Sequence, residues 1–193
     1  MESQPKIILA SQSIGRREVV TRAGMEMEII HSNYEEINNS KNPDDLARMH
    51  ALGKAKDVAD RLDEGIVIGV DTIVVVDGLM VFKPEDEQHA YEIIEHQQGK
   101  QAEVVSGLAM IDLYRDRTSI TSVKTDVSFH AMANHEIEWY ISTGEWQGKS
   151  GAFSVNGYGS RFIESVNGDY LSVIGIPIQK VYQILKNWGY TNV

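Results

Sequence analysis

The chain contains no cysteine among its 193 residues. That absence excludes disulfides, thiolate metal sites and cysteine nucleophiles together. Nor does it contain an apolar run near the ~20 residues a membrane-spanning helix needs, so no membrane partner is expected. The start, Met1-Glu2-Ser3-Gln4-Pro5, lacks the basic residues and apolar stretch of a secretory leader, and a cytoplasmic location is the expectation. Positive charge is scarce: 18 Lys and Arg stand against 28 Asp and Glu, a net charge of −10. A nucleic-acid polymer would want a broad basic face, so none is expected as a partner. A small polyanion carried with a divalent cation is compatible with this balance, because local arginines and lysines can oppose the global sign. The six histidines, at 31, 50, 89, 96, 130 and 135, form no H-x-x-x-H spacing, and a histidine zinc site is not expected.

What is present is an ordinary globular composition, 42% hydrophobic and 24% charged. The length suits a single domain over 1–193, as one body or as two lobes about a cleft. Strand and helix patterns alternate first, and strands dominate later. A strand over 6–10 leads into a helix over 15–23, stopped at Gly24, and a second strand spans 26–31. After a polar loop, Asn42-Pro43-Asp44-Asp45 opens a helix with an N-cap, an N1 proline and acids at the positive dipole end. Ala51, Ala55, Val58, Ala59 and Leu62 form its apolar stripe.

The run 66–70 reads as a central strand ending at Asp71, and 73–76 as one arm of a hairpin turning at Asp77-Gly78. Then come a helix over 85–97, strands near 102–114 and 118–130, and a short helix capped by Asn134, in which Trp139-Tyr140 reads as core. A glycine-rich loop carrying a short strand at 153–155, a strand over 161–166 and a helix over 177–188 close the chain. The mixture predicts an α/β fold: a mixed, twisted sheet with flanking helices.

Several polar residues interrupt this pattern where chemistry would sit. A carboxylate at Asp71, wedged between apolar strand runs, is costly to desolvate without a partner; the alternative is a turn aspartate at a strand end. Ser11, Ser13, Gly15 and Arg16 fall at a strand-to-helix turn, the setting of an anion site. They equally suit a serine N-cap with solvated arginines, and the Walker spacing is absent. Glu36 follows the second strand, Lys54 lies beside the apolar helix stripe, Lys83 follows the hairpin, and Lys149 sits in the glycine-rich loop. Taken singly, these read as a solvated charge pair, a snorkelling lysine, a turn residue and a loop cation. Taken together, Glu36 and Asp71 as ligands of Mg²⁺ or Mn²⁺, with three lysines and Arg16, match metal-assisted phosphate chemistry.

Six motifs in order carry a resemblance. Leu9-Ala10-Ser11-Gln12-Ser13-Ile14-Gly15-Arg16-Arg17-Glu18-Val19-Val20 is similar to L-A-S-x-S-P-R-R-x-x-L-L, Val70-Asp71-Thr72-Ile73-Val74 to A-D-T-V-V, and Lys83-Pro84 to K-P. Residues 129–140 resemble F-x-x-L-x-x-x-E-I-x-x-Y, residues 148–157 resemble D-K-A-G-A-Y-x-I-Q-G, and residues 168–177 resemble G-x-Y-x-x-V-x-G-L-P. These are the motifs of the Maf (septum-formation-like) nucleoside triphosphate pyrophosphatases.

The resemblance implies hydrolysis of nucleoside triphosphates to the monophosphate and diphosphate with Mg²⁺ or Mn²⁺. It also implies two lobes around a deep cleft in a Maf/ITPase-like fold, and a homodimer. Asp71 would be the proton acceptor, Arg16 would grip phosphate, Glu36 would lie near the metal, and Lys54 and Lys83 would be cleft lysines. Ser11, Ser13 and Lys149 would bind substrate. Base preference would track Gly15, Thr72 and Asn156. The pyrimidine-nucleotide branch carries arginine, threonine and glutamine there, and the 7-methyl-GTP branch tryptophan, glutamine and glutamate; this chain shares only the threonine. Proline gives way to Ile14 and the D-K aspartate to Gly148. The expected function is therefore a dTTP/UTP-type or broad-range pyrophosphatase cleansing the nucleotide pool. The alternatives are a nucleotide-binding regulator of division and a pyrophosphatase for non-standard purines.

Overall fold

The computed structural model describes residues 5–190; the stretch 1–4 read above for a leader lies outside them. Its strands are β1 (Ile7–Ala10), β2 (Glu28–Ile30), β3 (Ile66–Val76), β4 (Leu79–Val81), β5 (Gln101–Asp112), β6 (Arg117–Phe129) and β7 (Ile163–Asn167). Its helices are α1 (Ile14–Arg22), α2 (Pro43–Ala59), α3 (Glu87–Gln97), α4 (Asn134–Ser142), α5 (Tyr170–Ile174) and α6 (Ile178–Asn187). The seven strands hydrogen-bond in the order β2-β1-β3-β5-β6-β7, with β4 also on β3. β1 runs parallel to β2 and β3, while β4 pairs antiparallel with β3 and β7 with β6. The sheet is mixed, as the hairpin signals required.

The chain forms two compact units. The first draws its described residues from Met1–Asp71, Ser106–Val123 and Gly175–Val193. Its core joins Ile8, Ala10 and Val67 of the sheet to Ala51, Ala55, Val58 and Ala59 of α2. Each large aliphatic side chain buried in this way contributes about 1.5–3 kcal/mol. Two glycines set how closely α2 approaches. A Cβ on Gly69 of β3 would lie 2.1 Å from the Ala51 carbonyl oxygen, and one on Gly107 of β5 would lie 2.2 Å from that of Ala47. Helix backbone therefore rests directly on strand backbone. Asp71 is two residues beyond Gly69, so its side chain leaves the strand on the same face, toward the helix that carries Lys54.

The second unit comprises Thr72–Val105 and Lys124–Ile174. One of its clusters packs Ile93 and Ile94 of α3 against Ile137, Tyr140 and Ile141 of α4. Another unites Val74, Val76, Val104, Val127 and Phe129 of the strands. Tyr140 is fully buried and its hydroxyl accepts from the Ser154 N–H at 3.0 Å. Trp139 is 37% exposed, with the Arg161 guanidinium 4.0 Å from its ring centroid. Core was the right reading for the tyrosine alone.

Several elements differ from the sequence reading. β3 runs unbroken through Asp71, so this aspartate sits mid-strand and not at a strand end; Lys54 satisfies it in place. Residues 153–155 form no strand: Gly151 and Ala152 both have positive φ, and Phe153 turns in against Phe129 and Tyr140 at 4.8 and 4.9 Å. Asn134 is the first helical residue of α4 and not its cap, because the Glu136 carboxylate accepts from the Ala133 N–H at 2.8 Å. β2 is shorter than expected, Leu62 packs on the core from beyond the end of α2, and α5 was not foreseen.

Candidate active site

Lys54 is the hub of the charged residues in the first unit. Its Nζ lies 2.6 Å from Asp71 Oδ1 and 2.6 Å from Glu36 Oε1. Two carboxylate oxygens on one nitrogen are at most twice that distance apart. The lysine side chain is 13% exposed and the aspartate's 10%, so neither charge is fully screened, while Glu36 at 35% opens to solvent. α2 delivers Lys54 from the flank of its apolar stripe. The fixed start of the helix sets its register: Asn42 Oδ1 accepts from the N–H groups of Asp44 and Asp45 at 2.9 and 3.3 Å.

Arg16 joins this cluster electrostatically. Desolvation lowers the pKa of its guanidinium, and the charges of Asp71 and Glu36 oppose that shift. A guanidinium stays protonated throughout, so the consequence is a poorly solvated cation facing two carboxylates. Its fork is oriented from two sides: Nε donates to the Gly175 carbonyl at 2.8 Å and Nη1 to Ser11 Oγ at 3.2 Å. Gly175 has φ of +121°, and a Cβ there would come within 3.0 Å of Arg16 Nε. The backbone there favours glycine, and a side chain would press on the arginine. Arg17, the neighbour, is exposed.

Ser13 is the N-cap of α1, its hydroxyl accepting from the Arg16 N–H at 3.4 Å, so the ordinary capping reading holds for it. Ser11 Oγ accepts from the Ser13 N–H at 3.2 Å as well as from Arg16. Gly15 lies inside α1 and is not among the positive-φ glycines. A larger residue there meets no backbone prohibition.

The other predicted residues, Thr72, Lys83, Lys149 and Asn156, belong to the second unit. Ser150, next to Lys149, donates its hydroxyl to the Thr72 carbonyl at 3.1 Å. The Gly151 N–H donates to the Phe82 carbonyl at 3.3 Å, one residue before Lys83. Gly151 O accepts from Gln97 Nε2 at 2.8 Å. The glycine-rich loop is therefore stitched between the strand bearing Thr72 and the segment bearing Lys83. Asn156 is exposed, and its Oδ1 accepts from Ser154 Oγ at 3.0 Å.

Among the described residues, no group of three or more histidine, aspartate or glutamate side chains is arranged to hold a metal ion. A pair of carboxylates does suit Mg²⁺ or Mn²⁺ bound with substrate, since such ions keep several waters and take one or two carboxylates plus phosphate oxygens. Glu36 and Asp71 form an oxygen-only pair on Lys54, with the glutamate open to solvent. The donor set fits the ion.

Sequence reasoning passed over Tyr34, His50 and Gly53, which pack beside this cluster. The pKa of the Tyr34 phenol is raised by burial first and then by the charges of Glu36 and Asp71. A tyrosine two residues before the glutamate, and a glycine interrupting an alanine-rich helix one residue before the lysine, were the available signals.

The sequence model of the family described as "Maf-like protein" matches residues 6–188. The "dTTP/UTP pyrophosphatase" of Clostridium novyi (strain NT) is 40% identical over 187 residues, 95% of this chain and 98% of that one. The protein of the same name from Methanococcoides burtonii is 37% identical over 186 residues, 95% of each chain. The solved structure of the Staphylococcus aureus Ham1 protein aligns with a TM-score of 0.42 at 11% identity, covering 64% of this chain and 71% of that one. On the extent of the family match and these identities, the chain belongs to the Maf-like family.

Proposed function

We propose that this chain is a nucleoside triphosphate pyrophosphatase of the dTTP/UTP type or of broader range, which removes nucleotides from the pool by hydrolysing them to the monophosphate and diphosphate. The observation that carries the reading is Lys54, bonded at 2.6 Å to both Asp71 and Glu36 beside the oriented guanidinium of Arg16. The names borne by its relatives support the same reaction. Water is split across the α–β phosphoanhydride: its oxygen ends on one phosphoryl group, the bridging oxygen leaves with the other, and Asp71 takes the proton. Lys54 holds the paired carboxylates in register. Arg16, its fork already aimed by Gly175 and Ser11, grips phosphate oxygens. Glu36 and Asp71 would hold Mg²⁺ or Mn²⁺, and when bound the ion neutralises phosphate charge and acidifies water.

The remaining implied roles stay within the proposal: phosphate neutralisation for Lys83 and Lys149, and base preference for Gly15, Thr72 and Asn156. Homodimer formation and a cytoplasmic location belong to it as well; sedimentation tests the first and cell fractionation the second. The test of the reaction is a panel of ribo- and deoxyribonucleoside triphosphates, with and without Mn²⁺, followed by product separation. Metal-dependent release of monophosphate and diphosphate, fastest from dTTP or UTP or spread over many bases, is the expected result. Metal-dependent binding with no turnover of any triphosphate would overturn the enzyme and leave the division regulator.

A further inference from the structure

Glu36 lies in an irregular segment between β2 and α2, and no strand or helix fixes its place. Side-chain bonds to α2 and to the turn that follows it do so instead. At the start of the segment, Asp57 accepts from the Asn33 N–H at 2.8 Å and Arg61 donates to the His31 carbonyl at 2.8 Å. Nearer Glu36, a buried imidazole joins the ties. His50 is 1% exposed; its Nδ1 lies 3.2 Å from the Tyr34 hydroxyl and its Nε2 3.0 Å from Asn38 Oδ1. Tyr34 is two residues before Glu36 and Asn38 two residues after it. The ring thus uses both its nitrogens, one toward each neighbour of Glu36.

A separate feature of the same helix bears on this. A Cβ on Gly53 would lie 2.3 Å from the Tyr34 ring. Glycine in a helix interior costs roughly 0.5–1 kcal/mol relative to alanine. Here it clears the space into which the tyrosine packs, one residue before Lys54. Ring and imidazole together fix the Glu36 segment against the helix that supplies its ion-pair partner.

We propose that His50, through Tyr34 and Asn38, is the positioning residue that brackets Glu36 and sets its carboxylate at Lys54 and at the metal. The inference rests on the reading of Glu36 as a metal ligand of the pyrophosphatase. Removing partners that orient a metal ligand costs typically about 10–100-fold in metal affinity or activity. The bracket acts on where Glu36 sits, so loosening it raises the metal requirement while turnover at saturating metal changes less. Gly53→Ala, which ordinary helix propensity would call stabilising, drives the Tyr34 ring out and joins the same class.

The experiment measures Mn²⁺ binding directly, by the loss of the free-ion EPR signal, together with the metal dependence of dTTP hydrolysis and the thermal midpoint. The proteins are wild type, Tyr34→Phe/Asn38→Ala, His50→Ala, His50→Gln, Gly53→Ala and, as the benchmark, Glu36→Gln. The double variant, which leaves the imidazole and the tyrosine ring in place, is expected to bind Mn²⁺ about 10–100-fold more weakly, toward the Glu36→Gln level, with little change in midpoint. His50→Gln, which keeps a donor and an acceptor, recovers part of what His50→Ala loses. Mn²⁺ binding by the double variant equal to wild type would overturn the bracket, and so would a wild type that binds no Mn²⁺. Shifted binding in a wild-type background that leaves dTTP intact would refute the pyrophosphatase and spare the bracket.

Discussion

Asp71 and Asp112 are both buried aspartates of the first unit, on long strands, and their surroundings differ. Asp112, fully buried at the end of β5, is saturated. Its Oδ1 accepts from the Tyr114 N–H and the Tyr190 hydroxyl, each at 3.1 Å, and its Oδ2 from Arg117 Nε and Nη2 at 3.1 and 2.6 Å. Burial and then the charge of Asp112 raise the pKa of the Tyr190 phenol, which stays a donor. Arg117 lies 5.0 Å from the Trp188 ring centroid, fastening the chain after α6 to the hairpin of β5 and β6. Asp71 has instead a lysine that it shares with Glu36. A carboxylate with its acceptor sites filled by fixed donors holds a fold together; two carboxylates sharing one lysine beside an arginine form a charged cluster in which Glu36 is open to solvent. Burial alone does not mark a catalytic carboxylate.

The comparison is broken most sharply by neutralising each aspartate in turn. Asp71→Asn is expected to lower turnover on the order of 10²–10⁴-fold, with a thermal midpoint close to wild type. Asp112→Asn is expected to do the reverse: it removes charge-assisted bonds and lowers stability by about 1.5–3 kcal/mol, while the folded fraction keeps its turnover. Calorimetry and steady-state kinetics on both variants check the pair. Loss of activity in both, or of stability in both, would erase the distinction.

A smaller effect separates the two arginines of α1. Arg16→Ala is expected to weaken triphosphate binding by roughly ten- to a hundredfold, the range for hydrogen bonds from a charged donor, and monophosphate binding far less. Arg17→Ala, at an exposed position, is expected to leave both near wild type. Titration calorimetry with a non-hydrolysable triphosphate and with the monophosphate reads the difference. Equal losses in the two variants would mean that Arg16 is not the residue aimed at phosphate.

The smallest expected effect concerns the base. Gly15→Arg restores the residue of the pyrimidine branch at a helical position whose backbone conformation does not demand glycine. It is expected to raise the kcat/KM ratio of dTTP over dATP by about tenfold, the worth of one good hydrogen bond to a charged donor. A proportional loss on every triphosphate would remove position 15 from base recognition.

The features legible in the sequence were those set by neighbours along the chain. Asn42-Pro43-Asp44-Asp45 carries its own helix start, and Asp77-Gly78 its own turn, with positive φ at both residues. Asp71 and Arg16 stood out within recognisable motifs, Glu36 after the second strand and Lys54 beside a helix stripe, and the fold brings those four together. What depended on distant partners was not legible. Asp71 was read as ending a strand because its stabilising lysine lies 17 residues away on a helix. Arg16 finds its carbonyl acceptor at Gly175, 159 residues on, by the path of the fold. His50 looked like any histidine without metal spacing until Tyr34 and Asn38 closed around it.

The most direct test of the central claim is a single turnover of dTTP with Mn²⁺, enzyme in excess, with every phosphorus-containing product resolved by chromatography. Wild type is expected to release dTMP and diphosphate in equal amounts, and Asp71→Asn neither on the same timescale. Release of dTDP with orthophosphate, or an Asp71→Asn protein that keeps more than about half the wild-type rate when the expected general-base loss is at least about a hundredfold, would contradict that claim.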